Sequence, residues 1–488
     1  MKVLFFLQEF QFFERMGIMS LSAVIKQGGH QTKLLKTQNL GFDQILKKVK
    51  EYSPDVFAYS TMTGEHNYYL NLNKRLKKKF RAFSIFGGPH PTFFPEMINK
   101  SGVDAVCIGE GEGAIIDLLE RLKKGKSIDK IKNLWIKKGN KIIKNLPRPL
   151  IEDLDSLPFP DREILYESSP EIKEYKSKVF FSGRGCPYQC TYCFNHKYNE
   201  IYKNKGEIIR FRSVDNFIAE ILEVKKKYPF QFAMIEDDTF LLKPKEWLED
   251  FAVKMKKTKI RFWCNIRANL INKEVVRLLK KAGCYAVWFG IECGNEKIRN
   301  KLLKRLMTNE QIFKTCELLK KYSIIFTSQN LIALPVKHSL KIDLQTLDLN
   351  IKCRPNFAWS SILYPYPGTS IGNYALKNGY FKKKSWDQVA VTNKMTSELV
   401  FSDPKEKKKA ERLHKIFGIV VEFPFLRRFM DVLISLPLDR LYQFIFFSWY
   451  GYCMRIRMES WEKTPSDFLQ LTKSLFNYLK NINKQSLD

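Results

Sequence analysis

The sequence predicts an α/β protein built from two strand–helix units in series, followed by a helical C-terminal region. Three observations carry this. The first 150 residues alternate strand-like and helix-like segments. From Lys178 to about Tyr364, six further strand-like runs alternate with helical ones. Beyond Asn393 the chain turns helical, basic and aromatic. Alternation of the first kind predicts a doubly wound, Rossmann-like parallel sheet with its ligand loops at the carboxyl ends of the strands. The expected division is 1–145, a linker at 146–172, 173–390 and 391–488.

In the first unit, Lys2–Leu7 reads as a strand and Met19–Gln27 as a helix ending at Gly28-Gly29. His30–Thr37 is a second strand, Phe42–Tyr52 a helix and Asp55–Ser60 a third strand. Helix Asn67–Phe80, strand Ala82–Phe86, strand Asp104–Ile108 and helix Ala114–Lys123 follow. Three candidate ligand loops fall at strand ends: Ser60-Thr61 onward to Gly64, Gly87-Gly88-Pro89-His90-Pro91, and Gly109-Glu110-Gly111-Glu112-Gly113. Lys144–Leu150 and Asp153–Asp161, rich in Pro and Asp, read as a linker. In the second unit the strands are expected at Lys178–Ser182, Phe230–Ile235, Lys259–Cys264, Tyr285–Ile291, Ile324–Leu334 and Asn356–Leu363. Helices Val214–Tyr228, Lys243–Lys257, Asn272–Ala282 and Asn309–Tyr322 lie between them.

Composition narrows the function. With 44% hydrophobic and 27% charged residues the chain is globular, and ten cysteines in 488 residues are too few for a disulfide framework. The apolar run Met1–Leu7 is too short for a secretory signal. Free cysteines suit a reducing cytoplasm. The net charge of +32 invites a nucleic-acid reading, but the lysines are dispersed along the whole chain and form no focused patch. An anionic substrate or membrane surface stays open. The longest uncharged run of the tail, Leu441–Met454, is short of a bilayer span. A helical substrate lid is the first expectation for this region, and a peripheral membrane contact the second.

The chemistry lies in Ser182-Gly-Arg-Gly-Cys-Pro-Tyr-Gln-Cys-Thr-Tyr-Cys-Phe-Asn195. Cys186, Cys190 and Cys193 offer three thiolates to a metal centre. A [4Fe–4S] cube normally takes four cysteines, so three would leave one iron open. The competing reading is a zinc knuckle with His196 as fourth ligand, although zinc sites usually bring Cys or His in two pairs.

This spacing, with Tyr192 before the third cysteine, resembles the signature of the radical S-adenosylmethionine (SAM) enzymes. The resemblance implies a partial (β/α)6 barrel and a [4Fe–4S] cluster on Cys186, Cys190 and Cys193. It also implies SAM on the open iron, cleaved by an electron from a reductant such as flavodoxin or ferredoxin to give a 5′-deoxyadenosyl radical. At the second strand end, Glu236, Asp237 and Asp238 are candidates for the SAM amine, with helix capping as the structural alternative for the two aspartates. At the third, Asn265 and Arg267 are candidates for the SAM carboxylate or ribose. At the fourth, Glu292 resembles the acid that bonds the ribose. Cys293 beside it reads as packed and inert. Arg305 resembles an arginine that points back to SAM, or is a surface charge. The fifth strand departs from the family: Ala333-Leu-Pro-Val-Lys337 lacks the usual glycine and acid. Tyr364–Thr369 matches the family's Pro-x-Pro-Gly-Thr turn.

The first unit resembles the cobalamin-binding domain found ahead of many radical SAM modules. Gly29-His30, Gly87–His90 and Gly109–Glu112 carry the likeness, which implies that Ser60, Thr61, Gly87, Gly88, His90, Gly109, Glu110 and Gly111 approach a corrin. The histidine that ligates cobalt in mutases is absent; Glu14–Ile18 stands in its place. A flavodoxin-like relic without ligand is the alternative. Together the resemblances imply methylation of an unactivated carbon in a small-molecule or lipid-like substrate. The alternatives are anaerobic cyclisation of a porphyrin-like ring, RNA modification, or a non-catalytic cluster or cobalamin binder.

Overall fold

The computed structural model describes residues 1–8, 14–382 and 395–459. Much of the 391–488 tail therefore lies outside the described residues. The first sheet has seven strands: β1 (Lys2–Leu7), β2 (Gln31–Lys36), β3 (Val56–Ser60), β4 (Phe83–Gly87), β5 (Ala105–Cys107), β6 (Leu134–Lys138) and β7 (Lys141–Lys144). Their order is β2-β1-β3-β4-β5-β6-β7. The first five are parallel, and β6 and β7 join antiparallel. The 2-1-3-4-5 order puts a topological switch point between β1 and β3, where an open sheet opens a crevice. Val3, Phe5, Val56, Ala58 and Ile85 face one layer of helices, and Leu4, Phe6, Phe57, Tyr59 and Phe86 the other. That alternation is the period-2 pattern of strands covered on both faces.

The second sheet begins with β8 (Ser177–Phe180). A two-residue hairpin, β9 (Gly183–Arg184) with β10 (Arg210–Phe211), interrupts the chain before β11 (Phe232–Ile235). Then come β12 (Arg261–Ile266), β13 (Cys284–Glu292), β14 (Ile325–Ile332) and β15 (Phe357–Ile362). The six long strands are parallel in the order β15-β14-β13-β12-β11-β8, an open barrel with edges at β8 and β15. Helices Val214–Lys227, Lys245–Thr258, Lys273–Ala282 and Asn309–Lys321 fall where the sequence put them. Their ends are chemically marked. Asn272 and Thr308 cap two N-termini by accepting from Val275 and Gln311 backbone N–H groups. The sequence reading lacked the β6–β7 and β9–β10 hairpins, helix Ser339–Cys353 and several short helices, among them Asn195–Ile201 and Ser370–Lys377.

Helices Pro404–Glu422 and Asp439–Tyr452 close the β15 side. Ala410, Leu413 and Phe417 pack on Ala358 and Ile362 of β15. No helix among the described residues is long and apolar enough to cross a membrane.

Candidate active site

Asp237 explains how the cysteine loop leaves β8. It sits at the end of β11, next to β8 in the sheet, and is buried. Its carboxylate accepts from Ser182 N (2.8 Å), Ser182 Oγ (2.5 Å), Gly183 N (3.1 Å) and Lys243 Nζ (2.6 Å). Four donors leave it committed to the turn. The neighbouring acids differ. Glu236 is half-buried, its carboxyl raised by burial, and accepts from Asn265 Nδ2 at 3.4 Å. Asp238 is exposed and accepts from Asn195 Nδ2 at 3.1 Å.

The three cysteines are free thiols in one loop; Cys190 is buried and the other two half-buried. Burial pushes the Cys186 thiol up, and the Cys193 thiol to about 12. A thiolate at either place needs a cation beside it, which iron would supply. Cys190 has donors already: Arg267 Nη1 and Arg305 Nη1 each lie 3.6 Å from its sulfur. Among the described residues no three His, Cys, Asp or Glu side chains converge as around a single ion. A cube takes each thiolate on a different iron and asks for no such convergence. His196, the candidate zinc ligand, lies with Nε2 3.2 Å from Ser370 Oγ. The donor set therefore fits a cluster better than zinc.

Arg267 and Arg305 are both buried. Arg267 also stacks over Tyr188 at 3.5 Å and donates to the Arg305 carbonyl. Arg305 Nη2 donates to Gly290 O at 2.8 Å. Glu292, 7% exposed, ends β13 with φ +64 at an irregularity in the β13–β14 pairing. Burial raises its carboxyl, and Tyr192 OH donates to it at 2.8 Å. A Cβ at Gly290 would stand 2.0 Å from Glu292 Oε1, so only glycine leaves this carboxylate room. Cys293 is buried, its thiol pushed up to about 12, as expected of a packed residue.

A cleft of about 640 Å³ opens at the carboxyl ends of the first sheet. Ser60, Gly87, Gly88, Gly109, Glu110 and Gly111 line it, as do Leu157–Pro160 of the linker. Its far wall is Arg184, Phe194, Asn195 and Tyr198, from the chain on either side of the cysteines. Two candidates are not brought to it. Thr61 is buried and bonds Gly87 O at 3.2 Å. His90 is buried beneath the loop, its Nδ1 3.0 Å from Thr63 Oγ1 and its ring 4.1 Å from His66. Burial, then His66, lower its pKa to about 3. Glu110 lines the cleft, but its carboxylate accepts from Arg184 (3.0 Å), Arg210 (2.7 Å) and Ile151 N (2.9 Å). Burial alone would raise this group; the two arginines hold it below the usual carboxylate range. Sequence reasoning missed Arg184, Phe194, Tyr198 and Arg210. The only local signal was an arginine between two glycines just before Cys186.

Comparison with known proteins fits this geometry. The Radical SAM superfamily model matches residues 180–338, and the B12 binding domain model matches 11–119. An uncharacterized methyltransferase of Pyrococcus horikoshii is 27% identical over 79% of this chain and 84% of its own length. The anaerobic magnesium-protoporphyrin IX monomethyl ester cyclase of Synechocystis is 23% identical over 64% of the chain and 62% of its own. The solved structure of OxsB, a cobalamin-dependent SAM radical enzyme with aqua-cobalamin and SAM bound, shares the fold. It has a TM-score of 0.65 at 16% identity, covering 99% of this chain and 75% of OxsB. The chain belongs to the radical SAM enzymes that carry a cobalamin-binding domain. Its cofactors are a [4Fe–4S] cluster, SAM and cobalamin.

Proposed function

We propose that this enzyme methylates an unactivated carbon of a small-molecule or lipid-like substrate, with electrons from a flavodoxin or ferredoxin. One observation carries the reading: the cleft at the strand ends of the first sheet is walled by the chain around the cysteines. When bound, the three cofactors supply a radical at the substrate carbon and a methyl group for it. The chain's residues bind and orient them. Cys186, Cys190 and Cys193 hold the cluster, with Arg267 and Arg305 against one sulfur. Glu236 and Asn265, on neighbouring strand ends, offer a carboxylate and an amide to the amino-acid end of SAM, with Asp238 at the rim. Glu292, steadied by Tyr192, meets the ribose. Ser60, Gly87, Gly88, Gly109 and Gly111 shape the cobalamin cleft, and Leu157–Pro160 keep water from it. The working division remains 1–145, 146–172, 173–390 and 391–488. A lipid-like substrate would approach over the C-terminal helices, where Phe425, Val432 and Phe444 are 59%, 61% and 54% exposed.

The test is anaerobic turnover of reconstituted protein with dithionite, SAM and cobalamin. It should yield 5′-deoxyadenosine and S-adenosylhomocysteine, and alanine at the three cysteines should abolish the former. Deoxyadenosine without S-adenosylhomocysteine would favour ring cyclisation; neither product would sink the proposal.

A further inference from the structure

Arg184 stands where the two sheets meet. It is the second residue of β9, two positions before Cys186. Its Nη1 donates to Glu110 Oε1 at 3.0 Å and its Nη2 to Glu112 Oε1 at 2.7 Å. Both acceptors belong to the loop after β5, at the start of helix Glu112–Lys123. Arg210, opposite Arg184 in the hairpin, reaches the same Glu110 oxygen at 2.7 Å. On the far side of the cysteines, Tyr202 OH accepts from Glu110 N at 3.0 Å. A Cβ on Gly109 would fall 1.8 Å from that hydroxyl, so the loop must be glycine for the tyrosine to seat. The segment 184–202, which contains all three cysteines, is thus held at both ends by one loop of the first sheet. Glu110 and Glu112 are buried and their charges are matched by Arg184 and Arg210. Phe93 stacked on Phe194 at 4.4 Å is a further tie, but an apolar one without direction.

We infer that Arg184, acting through Glu110 and Glu112, is a positioning residue that fixes the cysteine loop relative to the cobalamin cleft and passes occupancy of the cleft to that loop. This rests on the cobalamin and cluster sites proposed above. The physical route is short. Glu110 and Glu112 line the cleft, so a corrin that orders their backbone orders both carboxylates. A guanidinium fork follows two carboxylates in position and in plane, which a lysine cannot do. Coupling between two sites is reciprocal, so the ordered loop also favours the bound corrin.

The experiment uses full-length, anaerobically reconstituted protein. Hydroxocobalamin affinity is read by absorbance titration, and hydrogen–deuterium exchange is followed over residues 182–204 with and without hydroxocobalamin. In the wild type, cobalamin should slow exchange in this segment. The charge-balanced variant Arg184→Met/Glu112→Gln should keep its iron, bind cobalamin about tenfold more weakly, and show no exchange response. Arg184→Lys, which keeps the charge and loses the fork, should respond less than the wild type. A full response in whichever variant retains its iron overturns the inference, as does a wild-type segment indifferent to bound cobalamin. Wild-type protein that takes up no cobalamin overturns the functional reading itself, and this inference with it.

Discussion

Several barrel residues hold backbone that favours glycine, and two of them, Glu292 and Ala333, sit where β13 and β14 end. Glu292 adopts φ +64 while buried, with Gly290 beside it leaving space for its carboxylate and for Arg305. Strain of this kind persists only where the surroundings over-determine it. Gly290→Ala should cost about 1–3 kcal/mol of SAM binding by pushing the carboxylate aside, with iron content unchanged; equilibrium dialysis with SAM measures this. Ala333 adopts φ +61 where the fifth strand departs from the family's glycine, and its backbone N–H donates to buried Asp343. An L-residue pays about 1–2 kcal/mol there, and glycine returns part of that as unfolded-state entropy. Ala333→Gly should therefore stabilise the barrel by roughly 0.5–1 kcal/mol, seen as a higher melting temperature. The cysteines and Glu292 were legible because their spacing and neighbours are local. The commitments of Asp237 and Glu110 were not, because all their partners but Lys243 lie 41 to 100 residues away and only folding brings them close.

At the scale of elements, period and breakers located most strands and helices within a few residues. The β6–β7 hairpin was readable in principle: Gly139-Asn140 separates two apolar–charged runs, a common two-residue turn signal. Helix Ser339–Cys353 was hidden for a physical reason. Its buried face carries Asp343, Thr346 and Asn350, so apolar periodicity is weak. Helix Pro404–Glu422 offers a pH test. His414 is 1% exposed, with Nδ1 3.0 Å from Ser360 Oγ and its ring against Phe446. Burial, then the Lys415 charge, lower its pKa from 6.5 to about 3. The folded protein thus refuses a proton that the unfolded chain accepts. This contribution is full above pH 6.5 and falls as pH drops toward 3, by about 1.4 kcal/mol per unit. Between pH 7 and 5 it should cost about 2 kcal/mol. Thermal melts followed by circular dichroism should show that loss beside a like one from buried His90, also lowered to about 3, and His414→Gln should remove its own share of about 2 kcal/mol.

For the whole molecule, the question is whether the two sheets behave as one body. Their cores are continuous: Val3, Phe5 and Ile115 belong to the same buried cluster as Val179, Phe180 and Phe232. A buried polar knot spans them as well. Glu14, just after β1, accepts from Arg162 Nη1 (2.5 Å), Val179 N (2.5 Å) and Tyr166 OH. Arg162 in turn bonds Val179 O (2.7 Å) and Glu220 (3.2 Å), which also takes Arg212. The sequence marked Glu14 only as part of the stretch where a cobalt ligand was missing. It ties the linker and the first barrel strand to the first sheet. Removing one member of a buried charge group strands the others, at about 3–5 kcal/mol. Glu14→Ala leaves Arg162 with Glu220 as its one acidic partner beside the Val179 carbonyl, and Val179 N–H without its acceptor. Calorimetry should therefore show a single cooperative transition in the wild type and two separated ones in Glu14→Ala, the lower from the loosened interface. A single transition in the variant, at the wild-type temperature, would mean that the shared apolar core alone couples the two sheets.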